Sequence, residues 1–162
     1  MTRRWHHDGE ETPLIARLSY PEVAIMLGVV AAAGLALCAR RLGRRRELLV
    51  YGIGLVFTAC AYLLFSVGRG APPTYFAVEA VGATLYTAAA VAGVRRWPFA
   101  LALGWTGHVA WDLVLHSSNG PAFAPPWYPP LCVGFDLFLG GYIAGAVAKA
   151  AEDRAPSPRP GL

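Results

Sequence analysis

Charge is scarce in this chain. Asp, Glu, Lys and Arg make up 15% of its 162 residues, where a soluble domain carries about a quarter. Apolar residues make up 56%, and this balance excludes an ordinary water-soluble domain. Cysteine is nearly absent as well. Cys38, Cys60 and Cys132 are odd in number and fall on three separate predicted helices, so neither a disulfide framework nor a metal knuckle is expected. No stretch repeats internally. The arginines are not interleaved with aromatic residues, so the basic balance calls for no nucleic-acid partner.

What is present is a series of long apolar runs, at about 22–39, 48–68, 75–94, 97–115 and 130–148. Each approaches the ~20 residues that an α-helix needs to cross a bilayer. The sequence therefore predicts an all-α integral membrane protein with a five-helix transmembrane bundle over residues 20–150. A polar lead (1–19) precedes it and a proline-rich tail (151–162), expected to be disordered, follows it. The first run follows Tyr20-Pro21-Glu22 and is not followed by a small-residue cleavage site, so it reads as a retained helix rather than a signal peptide.

The charges lie between the runs and are distributed unevenly. Arg40, Arg41, Arg44, Arg45 and Arg46 separate the first two spans, Arg95 and Arg96 the next pair, and Lys149, Arg154 and Arg159 follow the last. The loops of the other side have only Arg69, with no Lys or Arg between Leu115 and Leu131, while Arg3, Arg4 and Arg17 of the N-terminal lead are accompanied by Asp8, Glu10 and Glu11. Positively charged loops stay in the cytoplasm. The chain is thus expected to be a multi-pass protein of the bacterial inner membrane, N-terminus outside and C-terminus cytoplasmic. The turn from His116 to Pro129 is rich in helix breakers, and Trp127 and Tyr128 form an interfacial aromatic anchor at its end. Gly141 and Gly145 form a Gly-x-x-x-Gly pair, read here as tight packing within the chain more than as a dimer motif; a homo-oligomer remains open.

Against this apolar background the fourth run places His108, Asp112 and His116 at four-residue spacing, on one face of a helix. Ionisable groups at membrane depth are costly unless paired, ligated or wetted. With the topology above and a rise of ~1.5 Å per residue, Glu79, His108, Asp112 and Asp136 all fall roughly 6–12 Å below the outer surface. Tyr62 and Tyr86 flank this layer from below. Trp105, Trp111 and Phe135 lie near it and, with Tyr62 and Tyr86, shape an apolar substrate pocket. Glu22 reads as a first-turn residue favouring the helix dipole.

Three readings of the layer stay open. His and carboxylate side chains suit zinc or iron, with His108, Asp112 and Asp136 as ligands and His116 as a further one. His108 and His116 are ~12 Å apart along a straight helix axis, so Asp112 pairs with one of them or bridges two ions. Cys132, on the face of Asp136, is a further donor. The second reading is a metal-free acid or base built from Asp and His. The third is an interhelical network that merely orders the bundle.

The run Gly107-His108-Val109-Ala110-Trp111-Asp112 to His116, then Gly120-Pro121, then Cys132-Val133-Gly134-Phe135-Asp136 resembles a family of small bacterial membrane proteins of unknown function. Those proteins share the His-x-x-x-Asp helix, the Gly-Pro turn and the Cys followed by Phe-Asp. The resemblance covers about a fifth of the chain. The Ala-Trp-Asp run is also faintly similar to the Trp-Glu helix of integral-membrane terpene cyclases, which are larger and have more helices. The resemblance to those cyclases implies a proton-initiated isomerase or cyclase on an isoprenoid. Membrane hydrolases of the ceramidase type use several His and an Asp, but on seven helices and with a Ser-x-x-x-His pairing absent here.

The expected function is a membrane enzyme acting on a lipid or isoprenoid. Its catalytic residues are Asp112, Glu79, Asp136 and His108, working either by metal-assisted hydrolysis or by a buried acid. A proton- or ion-coupled transporter is the rival class, with Glu79 and Asp136 relaying ions. Against it stand the absence of a repeat and of polar groups deeper in the membrane. A structural membrane subunit is the third class.

Overall fold

A computed structural model describes residues 20–116 and 123–154. The polar lead, the Asn119-Gly120-Pro121 turn and most of the tail lie outside the described residues. The described chain is all-helical, with five α-helices: α1 Tyr20–Ala39, α2 Arg44–Gly68, α3 Pro73–Arg95, α4 Phe99–Leu115 and α5 Tyr128–Glu152. Helices α1, α2, α3 and α5 are long and apolar enough to cross a membrane, whereas α4 has 17 residues. This is the make-up of a multi-pass membrane protein.

Helix boundaries follow local chemistry. A single 3-10 turn, Arg40–Leu42, joins α1 to α2. It ends at Gly43, whose φ of 83° is open to glycine at little cost. Arg44, Arg45 and Arg46, assigned by sequence to a loop, instead form the first turn of α2. Three cations at a helix N-terminus oppose the dipole, and Glu47 in the same turn offsets them. At the far end Gly70, φ 61°, turns the chain within four residues into α3, where Pro73 takes the first helical position. Thr58, Thr84, Thr87 and Thr106 each donate their hydroxyl to the carbonyl four residues back, which satisfies them inside an apolar solvent. Helix α5 runs on through Lys149 to Glu152, past the expected end at 148.

Helices α2 and α3 pack as an antiparallel hairpin, α4 lies between α3 and α5, and α1 packs chiefly on α5. The core of Leu55, Leu101, Trp105, Leu139 and Ile143 is fully buried. Large apolar side chains such as Val30, Phe57, Leu64 and Val114 point outward, as a lipid-facing surface requires. The closest approach in the bundle is between α1 and α5. A Cβ on Gly28 would fall on the carbonyl oxygen of Leu131, and a Cβ on Gly134 on that of Ile25. Backbone meets backbone there, the geometry that small residues permit between membrane helices. Gly141 and Gly145 behave otherwise: both are exposed, with nothing within 4 Å of an added Cβ. The glycine pair expected to pack within the chain faces out of it instead.

Candidate functional site

Helix α4 supplies His108 and Asp112 one turn apart, and α5 supplies Asp136. All three are buried, at 0%, 1% and 0% exposure. His108 Nδ1 lies 2.7 Å from Asp136 Oδ2 and 3.6 Å from Asp112 Oδ2. One ligand atom from each residue lies within 4.8 Å of the other two. From α2, the Tyr62 hydroxyl donates to Asp112 Oδ1 at 2.7 Å. Residues separated by 28 positions in sequence and carried by different helices therefore converge on one buried point.

Several polar atoms at that point have no hydrogen-bond partner among the described residues: His108 Nε2, Asp112 Oδ2 and Asp136 Oδ1. Buried polar atoms are normally satisfied, because leaving one bare costs about 1–3 kcal/mol. Two carboxylates facing one imidazole also leave up to two negative charges to balance in a low-dielectric interior.

Glu79 and His116 form a second pair beside the first. His116, immediately past the end of α4, places Nε2 3.1 Å from Glu79 Oε1. The Trp111 indole N–H donates to Glu79 Oε2 at 3.2 Å. Gly82 makes this possible, since a Cβ there would come within 2.6 Å of the Trp111 ring. The Tyr62 ring stacks on His116 with centroids 3.8 Å apart, so Tyr62 joins the two pairs: its face holds His116 and its hydroxyl holds Asp112. His116 and Glu79 are thus turned to each other and lie outside the three-residue group. Cys132 is buried near Tyr128 but is likewise not one of the three.

The five aromatic residues assigned to a substrate pocket surround this layer at different depths. The Tyr86 hydroxyl donates to the Gly107 carbonyl at 3.1 Å, and its ring meets His108 edge-on at 5.0 Å. Trp105 sits about one turn deeper than His108 and belongs to the apolar core, and its ring lies 5.4 Å from that of Phe135, the neighbour of Asp136. Tyr62 and Trp105 are wholly buried.

Glu47 was not singled out by sequence, and the structure buries it to 6% exposure near the opposite end of the bundle. Its Oε1 accepts from the Tyr51 hydroxyl at 3.0 Å and the Tyr142 hydroxyl at 3.3 Å, while Oε2 faces Arg44 at 3.4 Å. A buried polar group therefore lies beyond the layer, at the far end of the bundle. Both of its oxygens are engaged, and the Leu55–Leu101–Leu139 core lies in the same bundle. Glu47 ties the start of α2 to Tyr142 in the second half of α5. Glu47→Ala is expected to lower stability by about 1–3 kcal/mol, because two tyrosine hydroxyls lose their acceptor. Thermal unfolding in detergent measures this, and metal content should be unchanged.

No protein-family model matches the chain, and neither a curated protein nor a solved structure resembles it significantly. The fold and site define the class directly: an all-helical membrane-type bundle with a buried His-Asp-Asp centre.

Proposed function

We propose that this protein is a multi-pass enzyme of the bacterial inner membrane, with its N-terminus outside. In this reading His108, Asp112 and Asp136 hold a divalent metal, zinc or iron, near the outer face, and the substrate is a lipid or isoprenoid drawn from the membrane. The observation that carries the proposal is the contrast between the trio and the other two buried carboxylates, Glu47 and Glu79. Glu47 and Glu79 have both oxygens engaged by neighbours, as structural carboxylates should, whereas Asp112 Oδ2 and Asp136 Oδ1 have no hydrogen-bond partner among the described residues. A divalent cation between His108 Nδ1 and the two carboxylates would balance their charge and take lone pairs from Asp112 and Asp136. One neutral nitrogen and two carboxylate oxygens are a donor set that zinc and iron accept.

When bound, such an ion supplies Lewis acidity and an activated water. The chain's own groups then have definite tasks. Tyr62, hydrogen-bonded to Asp112, fixes that carboxylate's orientation. Tyr86 and Trp111 wall the centre from the α3 side. Glu79, held by His116 and Trp111, is the nearest additional carboxylate able to move a proton.

A second reading has its own observation. The 2.7 Å bond between His108 and Asp136 is also the arrangement of a metal-free acid–base pair, suited to isomerisation or cyclisation of an isoprenoid. Metal analysis separates the two. Purified protein should hold close to one zinc or iron per chain; His108→Ala should lose it, whereas His116→Ala and Cys38→Ser should keep it. Metal-free protein with full activity would leave only the acid–base reading.

Orientation has a separate check. A reporter fused after Leu162 should be active only as a cytoplasmic reporter. A periplasmic signal would invert the topology and move the centre to the inner face.

A further inference from the structure

Helix α3 presents an outward face flanked by two apolar grooves. One, of about 820 Å³, runs from Ala80 past Thr84, Thr87 and Ala88 to Arg95, Arg96 and Trp97. The other, of about 610 Å³, runs between Cys60 and Leu49 of α2 and the end of α3. The two meet at Val91 and Arg95, which line both. Thr84 and Thr87 turn their hydroxyls back to the Ala80 and Ala83 carbonyls, leaving methyl groups toward the groove. At 1.5 Å per residue the longer groove extends roughly 22 Å and the shorter roughly 16 Å, each at least the ~15 Å of hydrocarbon in one leaflet.

The shared end is cationic. Arg95 and Arg96 are exposed and have no acidic partner among the described residues. They lie at the end of the bundle that carries Arg40, Arg41, Arg45 and Arg46. Two shallow apolar grooves that converge on paired, unneutralised guanidinium groups match one molecule: two chains joined at a negatively charged head. Guanidinium is well suited to phosphate.

We propose that this face of α3 binds one diacyl anionic phospholipid, with a chain in each groove and its phosphate on Arg95 and Arg96. The site is independent of the His108–Asp112–Asp136 centre and rests only on the membrane-spanning reading of α2 and α3.

The test is native mass spectrometry of the full chain in detergent, titrated with dioleoyl phosphatidylglycerol. The protein should retain one lipid. The Arg95→Gln/Arg96→Gln double variant should bind roughly thirtyfold more weakly, from about fivefold per arginine. Ala88→Phe, which fills the longer groove from an exposed position, should also weaken binding, with the melting temperature unchanged. Arg69→Gln, at the other end of the bundle, should bind as the parent does. Lyso-phosphatidylglycerol, with one chain, and inorganic phosphate should not displace the lipid. Equal retention of dioleoyl phosphatidylcholine, equal loss in Arg69→Gln, or unchanged binding in both the double variant and Ala88→Phe would each overturn the assignment.

Discussion

Gly134→Leu is expected to take the bundle apart at its tightest seam. A Cβ at this position would land on the Ile25 carbonyl oxygen, 2.8 Å from the Ile25 carbonyl carbon and 3.0 Å from its Cα. These are backbone atoms of a membrane helix and cannot rotate aside. Helix α1 must therefore move off α5, losing the reciprocal approach of Gly28 to Leu131 and Phe135. Overpacking within a core costs about 1–3 kcal/mol when side chains can adjust; here they cannot, so the loss should lie at or above the top of that range. Gly141→Leu, on the same helix but with open space around it, should stay within about 0.5 kcal/mol of the parent. Thermal unfolding of the two variants in the same detergent measures the difference. Equal stability would mean that α1 does not pack on α5 in this way.

Asp112→Asn is expected to abolish function while leaving the fold nearly intact. Asp112 joins three elements: it shares α4 with His108, faces Asp136 on α5 through that histidine, and accepts the Tyr62 hydroxyl from α2. Asparagine preserves size and still offers Tyr62 an acceptor, but it removes one of the two charges that the proposed metal balances. Metal content and activity should fall together, with yield and melting temperature close to those of the parent. If the trio only orders the bundle, stability should instead decline in step, since each stranded partner costs about 1–3 kcal/mol. A stable, fully active Asp112→Asn protein would remove the site assignment.

The apolar runs were readable because bilayer thickness fixes helix length, and every span found in the sequence overlaps a helix of the structure within a few residues. Rotation about each helix axis was not readable. A helix apolar on all sides carries no polar stripe to say which face turns inward. For that reason Gly141 and Gly145 looked like a packing motif, while Gly28 and Gly134, spaced across two helices, gave no local signal. The same distinction divides the polar residues. His108 and Asp112 share a face by spacing alone, so their proximity followed from the sequence. That Asp136 joins them, and that Glu79 turns to His116 and Trp111, depends on how α3, α4 and α5 are rotated against one another. Glu47 was masked by Arg44, Arg45 and Arg46, which made it look like part of a charged loop. Its burial follows from α2 starting four residues earlier than the apolar run does.

The central claim, that the His-Asp-Asp trio holds a divalent metal, is tested most directly by elemental analysis of the parent protein and His108→Ala, purified side by side without added metal. The account predicts close to one zinc or iron per chain in the parent, and a loss of at least about nine tenths of it in the variant, which must still purify as a folded protein. Equal metal in both proteins, or none in the parent even after incubation with zinc or iron, would contradict it.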